Sequence, residues 1–410
     1  MTPEVARPTA PTRPRRESPW TIVAQAAAAL AAGMGIGRFV YTPILPLMHA
    51  QAGLSSGLGA SLATANFIGY LAGAFVGIAV PAVVRSTATL RGSLAVMVAT
   101  LALMSVTHDG TAWFALRLVA GAASALVFVI AVSAMLSRLQ AHAHHMVGWA
   151  FGGVGAGITL SGLLVVVVQA ASTWQAAWWA CAALAALLAA VAWPLTPEPE
   201  TEAAEAASPA ERPRTHRWFI ALFASYTFEG IGYIIAGTFL VAAIQQGVQG
   251  WLGNGAWIVV GLAALPSCAL WTRLARRWSR PALLLTSLSI QAVGIALPAL
   301  LGGVAPALVS AVLFGATFMG VSTIALSIGT HLQVPRAVAL LTAGYSAGQI
   351  LGPLLAAPLL RHGYHQALLL GSTMVAIAGV AAAAVCIRFP HHLAPRRLDG
   401  LTPAPQEELS

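Results

Sequence analysis

Residues 33–43 read Gly-Met-Gly-Ile-Gly-Arg-Phe-Val-Tyr-Thr-Pro, and they end a long apolar run that starts at Trp20. A helix needs about 20 apolar residues to cross a bilayer, and this run is long enough. Arg38 therefore lies at membrane depth, where a charge costs about 3 kcal/mol or more and usually faces a bundle interior or a water-filled cavity. Gly35 and Gly37 precede it and allow close helix contact or a bend. The function depends on what Arg38 faces.

The composition of the whole chain supports a membrane location. Of its 410 residues, 58% are hydrophobic and only 8% are charged, and the mean hydropathy is +0.79. A soluble domain has about 25% charged residues. The apolar runs are also too long, and too free of alternation, for the strands of an outer-membrane barrel. The sequence therefore predicts an all-α integral membrane protein.

Charge, cysteine and histidine patterns exclude several other classes. The net charge is +9 and every basic residue is arginine, but the arginines are spread over short loops and do not form a nucleic-acid patch. The three cysteines lie far apart inside apolar runs, without disulfide or metal-ligand spacing. The densest histidine group, His142, His144 and His145, has no acid or cysteine beside it, so no metal site is predicted. We find no phosphate-binding loop, nucleophile–base pair or zinc-protease motif, and predict no cofactor.

Twelve apolar segments follow one another with little between them. They are placed near residues 20–47, 57–83, 91–107, 111–136, 146–170, 173–194, 218–244, 251–272, 281–301, 304–330, 337–360 and 365–388. Segment 91–107 is the shortest, and only Gly302-Gly303 separates the ninth segment from the tenth.

Polar stretches divide the chain into domains. Residues 1–19 are rich in proline and arginine and are predicted to be a disordered cytoplasmic tail; a signal peptide is the alternative. Residues 195–217 form a charged cytoplasmic linker, and residues 389–410 form a second cytoplasmic tail. Between them lie a six-helix bundle at 20–194 and another at 218–388.

The arginines give the orientation. If the N-terminus is cytoplasmic, only Arg361 falls in an outer loop. The cytoplasmic segments then hold Arg7, Arg13, Arg15, Arg16, Arg85, Arg91, Arg138, Arg212, Arg214, Arg217, Arg273, Arg276, Arg277, Arg280, Arg336, Arg388, Arg396 and Arg397. This positive-inside pattern predicts that both termini are cytoplasmic and that the protein lies in the inner, or plasma, membrane.

Glycine motifs recur between the two halves at nearly constant offsets of about 195 positions, which indicates an internal duplication. The matching sets are Gly35-Ile36-Gly37 with Gly230-Ile231-Gly232, Gly121 with Gly315, and Gly148 and Gly152 with Gly344 and Gly348. We expect two pseudo-symmetric six-helix bundles around a central cavity.

Twelve spans, a central linker and a repeat by halves resemble the major facilitator superfamily over nearly the whole chain. The run from Arg117 to Ala125 is similar to the span-4 motif R-x-x-Q-G-x-x-x-A, with Ala120 at the glutamine position. Span 5 is similarly glycine-rich, and span 11 carries Gly352-Pro353. The loop motif between spans 2 and 3 is nearly lost. Residues 35–43 resemble the YbfB/YjiJ-type branch. The resemblance implies a secondary transporter whose cavity is lined by spans 1, 4, 7 and 10.

Three charges remain at membrane depth, namely Arg38, Arg117 and Glu229, and all three fall on these cavity spans. Glu229 is about 11 residues into span 7, roughly 17 Å along the helix and near the bilayer centre. A carboxyl group there suits proton coupling; the alternative is a permanent ion pair with Arg38 or Arg117. Two cations against one acid favour an anionic or zwitterionic cargo, because guanidinium binds carboxylate in a bidentate manner.

Other residues are expected to support the pathway or the close packing of helices. The polar companions, for which packing and cargo contact both stay open, are Tyr41, Asn66, Tyr226, Tyr233, Tyr345 and Gln349. The hinge or close-packing glycines are Gly35, Gly37, Gly121, Gly148, Gly152, Gly344, Gly348 and Gly352.

The sequence predicts a secondary active transporter that moves a small organic molecule by alternating access, coupled to protons. Its expected partners are that molecule, H⁺ and the lipid bilayer; we expect a monomer, no nucleic acid and no enzymatic activity. The alternatives are a multidrug exporter and, outside transport, a membrane sensor or an intramembrane enzyme.

Overall fold

The computed structural model describes residues 18–139, 145–169, 172–197, 215–247, 252–334 and 337–390. Every regular element within these residues is a helix. Most of the two predicted tails and of the linker lies outside the described residues, as do His142 and His144.

The first predicted bundle contains eight α-helices. They are α1 (Pro19–Leu30), α2 (Tyr41–Ala52), α3 (Ser56–Ala79), α4 (Pro81–Val84), α5 (Thr87–Leu103), α6 (Gly110–Leu139), α7 (His145–Gln169) and α8 (Trp174–Ala192). A π-helix, Ala31–Ile36, lies between α1 and α2. We call the unit Pro19–Ala52 the first span.

The second predicted bundle contains six α-helices. They are α9 (His216–Gly247), α10 (Leu252–Leu274), α11 (Arg280–Leu300), α12 (Val304–His331), α13 (Ala337–Ala356) and α14 (Tyr364–Cys386). A 3₁₀-helix, Leu359–His362, precedes α14. Each of the twelve predicted segments thus contains a helix.

Eleven units of the described chain are long and apolar enough to cross a membrane. The twelfth predicted segment is α5, Thr87–Leu103, whose 17 residues are fewer than a helix ordinarily needs. The protein is therefore a multi-pass membrane protein with at least eleven candidate spans.

Glycine and serine set the ends of several helices. The separation of α11 from α12 occurs at Gly303, whose φ of 105° lies in a region that side chains disfavour. Gly53 ends α2 with a φ of 65°, and the hydroxyl of Ser55 then accepts the amide of Leu58 at 3.2 Å to begin α3. Short polar punctuation between long apolar runs explains why the predicted boundaries lie within a few residues of the observed ones.

Helices of the two predicted bundles meet along three seams. Helix α7 packs against α10, α3 packs against α13, and α2 packs against α9. The seam between α2 and α9 places the first span beside the helix that carries Glu229. The candidate site lies where these helices meet.

Candidate functional site

The first span is interrupted at the glycine motif. The backbone widens to π-helical bonds, in which Gly37 N–H donates to Ala32 at 2.8 Å and Phe39 N–H donates to Met34 at 3.2 Å. Pro43 has no N–H to offer the Phe39 carbonyl, which instead accepts from Thr42 at 3.2 Å. Such interruptions leave backbone carbonyls free for other donors.

Arg117 of α6 supplies those donors. Its Nη1 donates to the Gly37 carbonyl at 3.4 Å and its Nη2 donates to the Arg38 carbonyl at 3.3 Å. The guanidinium also lies 4.8 Å from the ring centroid of Tyr41. Arg117 is 2% exposed. In this conformation its guanidinium therefore donates hydrogen bonds to the backbone of the first span.

Asn66 and Tyr41 are also bonded to the backbone of neighbouring helices. The amide of Asn66 donates to the Arg117 carbonyl at 3.0 Å, and the hydroxyl of Tyr41 donates to the Gly59 carbonyl at 2.9 Å. Of the two interpretations that the sequence left open for these residues, helix packing describes this conformation. Gln349 is buried on α13.

Arg38 has a different environment. It is 4% exposed, and its guanidinium carbon lies 4.3 Å from the ring centroid of Tyr70, 5.0 Å from that of Phe67 and 5.6 Å from that of Phe39. Its Nε and Nη2 atoms have no hydrogen-bond partner. Arg38 thus faces protein and keeps two donors unused at a buried position, where unmet polar groups are costly.

Glu229 is fully buried and makes no ion pair with either arginine. Its Oε1 accepts a hydrogen bond from the amide of Gln291 on α11 at 3.4 Å, while Oε2 has no partner. The side-chain oxygen Oε1 of Gln291 also has no hydrogen-bond partner. The permanent ion pair considered from the sequence is not formed in this conformation.

A stack of aromatic rings runs beside both groups. Tyr226 lies 4.3 Å from Tyr345, Tyr345 lies 5.6 Å from Tyr233, and Tyr233 lies 5.8 Å from Phe318, with interplanar angles of 14° or less. Phe39 of the first span meets Phe318 edge-on at 6.0 Å. The stack therefore joins the two predicted bundles at the level of Arg38 and Glu229.

Sequence reasoning missed four residues here: Phe67, Tyr70, Gln291 and Phe318. Two of them carried a usable signal. Tyr70 lies one helical turn after Asn66 on α3, so a shared helix face was available as a clue, whereas Phe67, adjacent to Asn66, lies on a different face. Gln291 is the one amide in the apolar run of α11. Phe318 is one of many apolar residues in α12, and nothing in its sequence context distinguishes it.

The predicted close-packing glycines lie at helix crossings. A Cβ atom on Gly35 would lie 2.6 Å from the Cα of Gly157 on α7, and one on Gly352 would lie 2.8 Å from the Ile231 carbonyl of α9. Gly37 packs against the side chain of Met97, and Gly344 packs against α9. These positions have no room for a larger residue.

Two predicted glycine pairings are wrong. Gly148 and Gly152 face α10 on the seam between the bundles, whereas Gly344 and Gly348 face α9 of their own bundle. The glycines of α7 that pack against the first span are Gly153, at Ala27, and Gly157, at Ala31 and Gly35. A run of closely spaced glycines allowed the wrong members to be matched.

No group of three or more metal-ligating side chains occurs in the part of the chain that the structure describes. A family model described as "Uncharacterised MFS-type transporter YbfB" matches residues 30–383. No curated protein sequence matches the chain.

Solved structures with a similar fold include two of a nucleoside transporter. Both are crystal structures of the nucleoside transporter NupG, one of them of a point mutant. The mutant is 14% identical to this chain, with a TM-score of 0.66 over 89% of this chain and 99% of that chain. The other is 15% identical, with a TM-score of 0.64 over 90% and 98%. At such low identity the likeness concerns the fold alone.

Proposed function

The chain belongs to the family of MFS-type transporters represented by YbfB, and from this we propose that it is a proton-coupled secondary transporter of a small organic molecule. The proposal of proton coupling rests on one observation. Glu229 is fully buried, has a single amide contact and leaves one carboxyl oxygen without a partner. A membrane transporter, rather than an enzyme, is also what the fold neighbours favour.

Two bundles related by an approximate two-fold axis are supported by contacts at matching positions. The hydroxyl of Thr42 donates to the carbonyl of Gly237, its own equivalent 195 positions later. Gly121 packs on the carbonyl of Asn66, and Gly315 packs on that of Val260. Gly315 lies 194 positions after Gly121, and Val260 lies 194 positions after Asn66.

We propose that α5 completes a set of twelve spans and that both termini are cytoplasmic. An odd number of spans would place the termini on opposite sides and would spoil the positive-inside distribution of the arginines. An epitope tag at either end should be inaccessible from outside intact cells. Accessibility of either tag would contradict this orientation.

Proton coupling follows from the surroundings of Glu229. A carboxylate buried without a cation is costly, so the neutral, protonated form fits the observed contacts. Tyr226 and Tyr233 lie one helical turn before and after Glu229 on the same face of α9, and Tyr345 stacks on both rings. These groups can pass a proton when the conformation changes, and water reaching the site would let the proton leave.

Alternating access requires the seam between the bundles to open on one side at a time. In the described conformation, α9 is almost wholly enclosed and Thr42 and Gly237 hold the first span against it. His49 and Tyr364 join α2 to α14 by a hydrogen bond of 2.7 Å. We propose that this end, which the arginine pattern makes the outer one, is closed.

The charges favour an anionic or zwitterionic cargo. Arg117 is engaged with the backbone, whereas Arg38 has two unused donors. A multidrug or toxic-compound exporter is the alternative, but a buried guanidinium with unpartnered donor atoms opposes the cationic members of that cargo class. Nucleosides are the cargo named for NupG and form one class to be tested. We propose a monomer in the plasma membrane that needs no cofactor.

The test uses proteoliposomes that contain the pH-sensitive dye pyranine. Malate, glutamate, glucose, uridine and ethidium are added separately, and solute-dependent changes of internal pH are compared with those of protein-free vesicles. We expect one class to move protons with the wild-type protein. The same solute should still exchange across vesicles that contain Glu229→Gln, but without proton movement. Proton movement retained by Glu229→Gln would refute the coupling, and binding without flux would favour the sensor.

A further inference from the structure

We propose that the cargo site is formed by Arg38 and the aromatic stack and that it selects small planar aromatic carboxylates. This rests on the proposed transport function and narrows its cargo. The site has two walls on different bundles: Arg38 with Phe39, Phe67 and Tyr70 on one side, and Tyr226, Tyr233, Phe318 and Tyr345 on the other.

Arg38 gives the site its charge preference. Two of its nitrogen atoms have no protein partner although the residue is 4% exposed. The closest described acid in the core, Glu229, is bonded to Gln291 instead. A guanidinium holds its donors in a planar fork that matches both oxygens of a carboxylate. A cargo carboxylate would therefore supply the hydrogen-bond acceptor that Nε and Nη2 of Arg38 lack within the protein.

The aromatic rings give the site its shape preference. On the first wall, Tyr70, Phe67 and Phe39 surround the guanidinium at 4.3 to 5.6 Å. On the second wall, Tyr233 stacks within 14° of coplanarity on both Tyr345 and Phe318. A planar ring can extend such a stack or meet its edges, as Phe39 does at 6.0 Å, and it does so better than a puckered ring.

The two walls touch in the described conformation. The edge contact between Phe39 and Phe318, at 6.0 Å, crosses from one bundle to the other, and the same Phe39 ring lies 5.6 Å from the guanidinium carbon of Arg38. Separation of the bundles would break the contact between Phe39 and Phe318 and expose the guanidinium and the side of the aromatic stack that Phe39 covers. A planar cargo could then take the place of the ring-to-ring contact.

The experiment measures saturable binding to the purified full-length protein by calorimetry, with three probes of similar size. Benzoate has both the ring and the charge, cyclohexanecarboxylate has only the charge, and benzamide has only the ring. We expect benzoate to bind at least about fivefold more tightly than cyclohexanecarboxylate and at least about tenfold more tightly than benzamide. Equal affinity for benzoate and either other probe would overturn the proposal.

Two variants locate the site. Arg38→Lys keeps the charge but loses the planar fork, and should weaken benzoate binding by about tenfold. Arg276→Ala, which removes an exposed arginine at the end of α10, should bind as the wild type does. Unchanged binding by Arg38→Lys and Arg38→Ala would place the anion elsewhere. If Arg38 variants do not fold, the three probes on the wild-type protein still decide the class.

Failure of this inference differs from failure of the transport proposal. If benzoate does not bind but uridine or malate moves protons in vesicles, the chain is a transporter and the aromatic-acid site is wrong. If benzoate binds with the expected selectivity and no solute crosses the membrane, the site is right and the chain is a sensor.

Discussion

Replacement of Arg117 with alanine should lower the thermal stability of the purified protein more than replacement of Arg38 does. Both arginines are buried and both lie at membrane depth, but only Arg117 is bonded to the interrupted backbone of the first span. Without it, the carbonyls of Gly37 and Arg38 lose their donors in a place that water does not reach. Comparing the two variants therefore distinguishes an arginine that stabilises the backbone from one whose donor atoms lack partners.

The expected magnitude follows from these contacts. Each carbonyl that loses its donor costs about 1 kcal/mol, at the lower end of the usual range because the bonds are 3.3 to 3.4 Å long. Loss of the contact with Tyr41 adds about 1 kcal/mol. The sum is about 3 kcal/mol, which in a chain of this size lowers the melting temperature by about 3–6 °C.

Arg38→Ala is the matched control. It loses the contacts with Phe67 and Tyr70 but also removes two buried donors that have no partner. These effects oppose one another, so the melting temperature should change by about 2 °C or less. Arg117→Lys should lie between the wild type and Arg117→Ala, since one ammonium group cannot serve both carbonyls as a planar fork does.

The assay is thermal unfolding in detergent, followed by tryptophan fluorescence at constant detergent and lipid. If Arg117→Ala melts with the wild type while Arg38→Ala is strongly destabilised, the roles assigned to the two residues are reversed. Equal destabilisation of both would mean that their different hydrogen bonding has no energetic consequence, and the reasoning would fail.

Three further predictions concern other parts of the core. Glu229→Gln should melt within about 2 °C of the wild type, because glutamine keeps an acceptor for Gln291 and gains a donor; a large loss of stability would point to an ion pair that forms in another conformation. Gly121→Val should prevent folding, measured as loss of monodisperse protein in size-exclusion chromatography, because a backbone carbonyl of α3 occupies the space of its Cβ. Tyr364→Phe removes the hydroxyl bonded to His49 and should increase labelling of a cysteine placed at that seam; unchanged labelling would deny this bond a part in closure.

Sequence patterns were sufficient to place the apolar helices and to show that the three core charges lie within them. A run such as 304–330 needs only length and hydropathy to be assigned, and Gly302-Gly303 marks its start because few other residues adopt the required φ. Hydropathy could not settle α5. Its 17 residues lie at the margin of what a bilayer requires.

The direction in which a charge points could not be predicted. Arg38 and Arg117 both lie within apolar runs, yet one faces aromatic rings and the other faces a broken backbone. The difference arises from the π-helical turn, which leaves the backbone carbonyls of Gly37 and Arg38 free to accept from Arg117. No pattern of side chains in the sequence predicts these acceptors. Gln291 was missed for a related reason, since its partner Glu229 lies 62 positions away and on another helix.

The contact between Thr42 and Gly237 has a consequence for measuring motion in this protein. The contact lies on the seam between α2 and α9, where one helix of each predicted bundle meets the other. If the outer end opens as proposed, this hydrogen bond must break and the distance between Thr42 and Gly237 must increase. Spin labels on α2 and α9 near this contact would therefore report directly whether the outer end is open or closed.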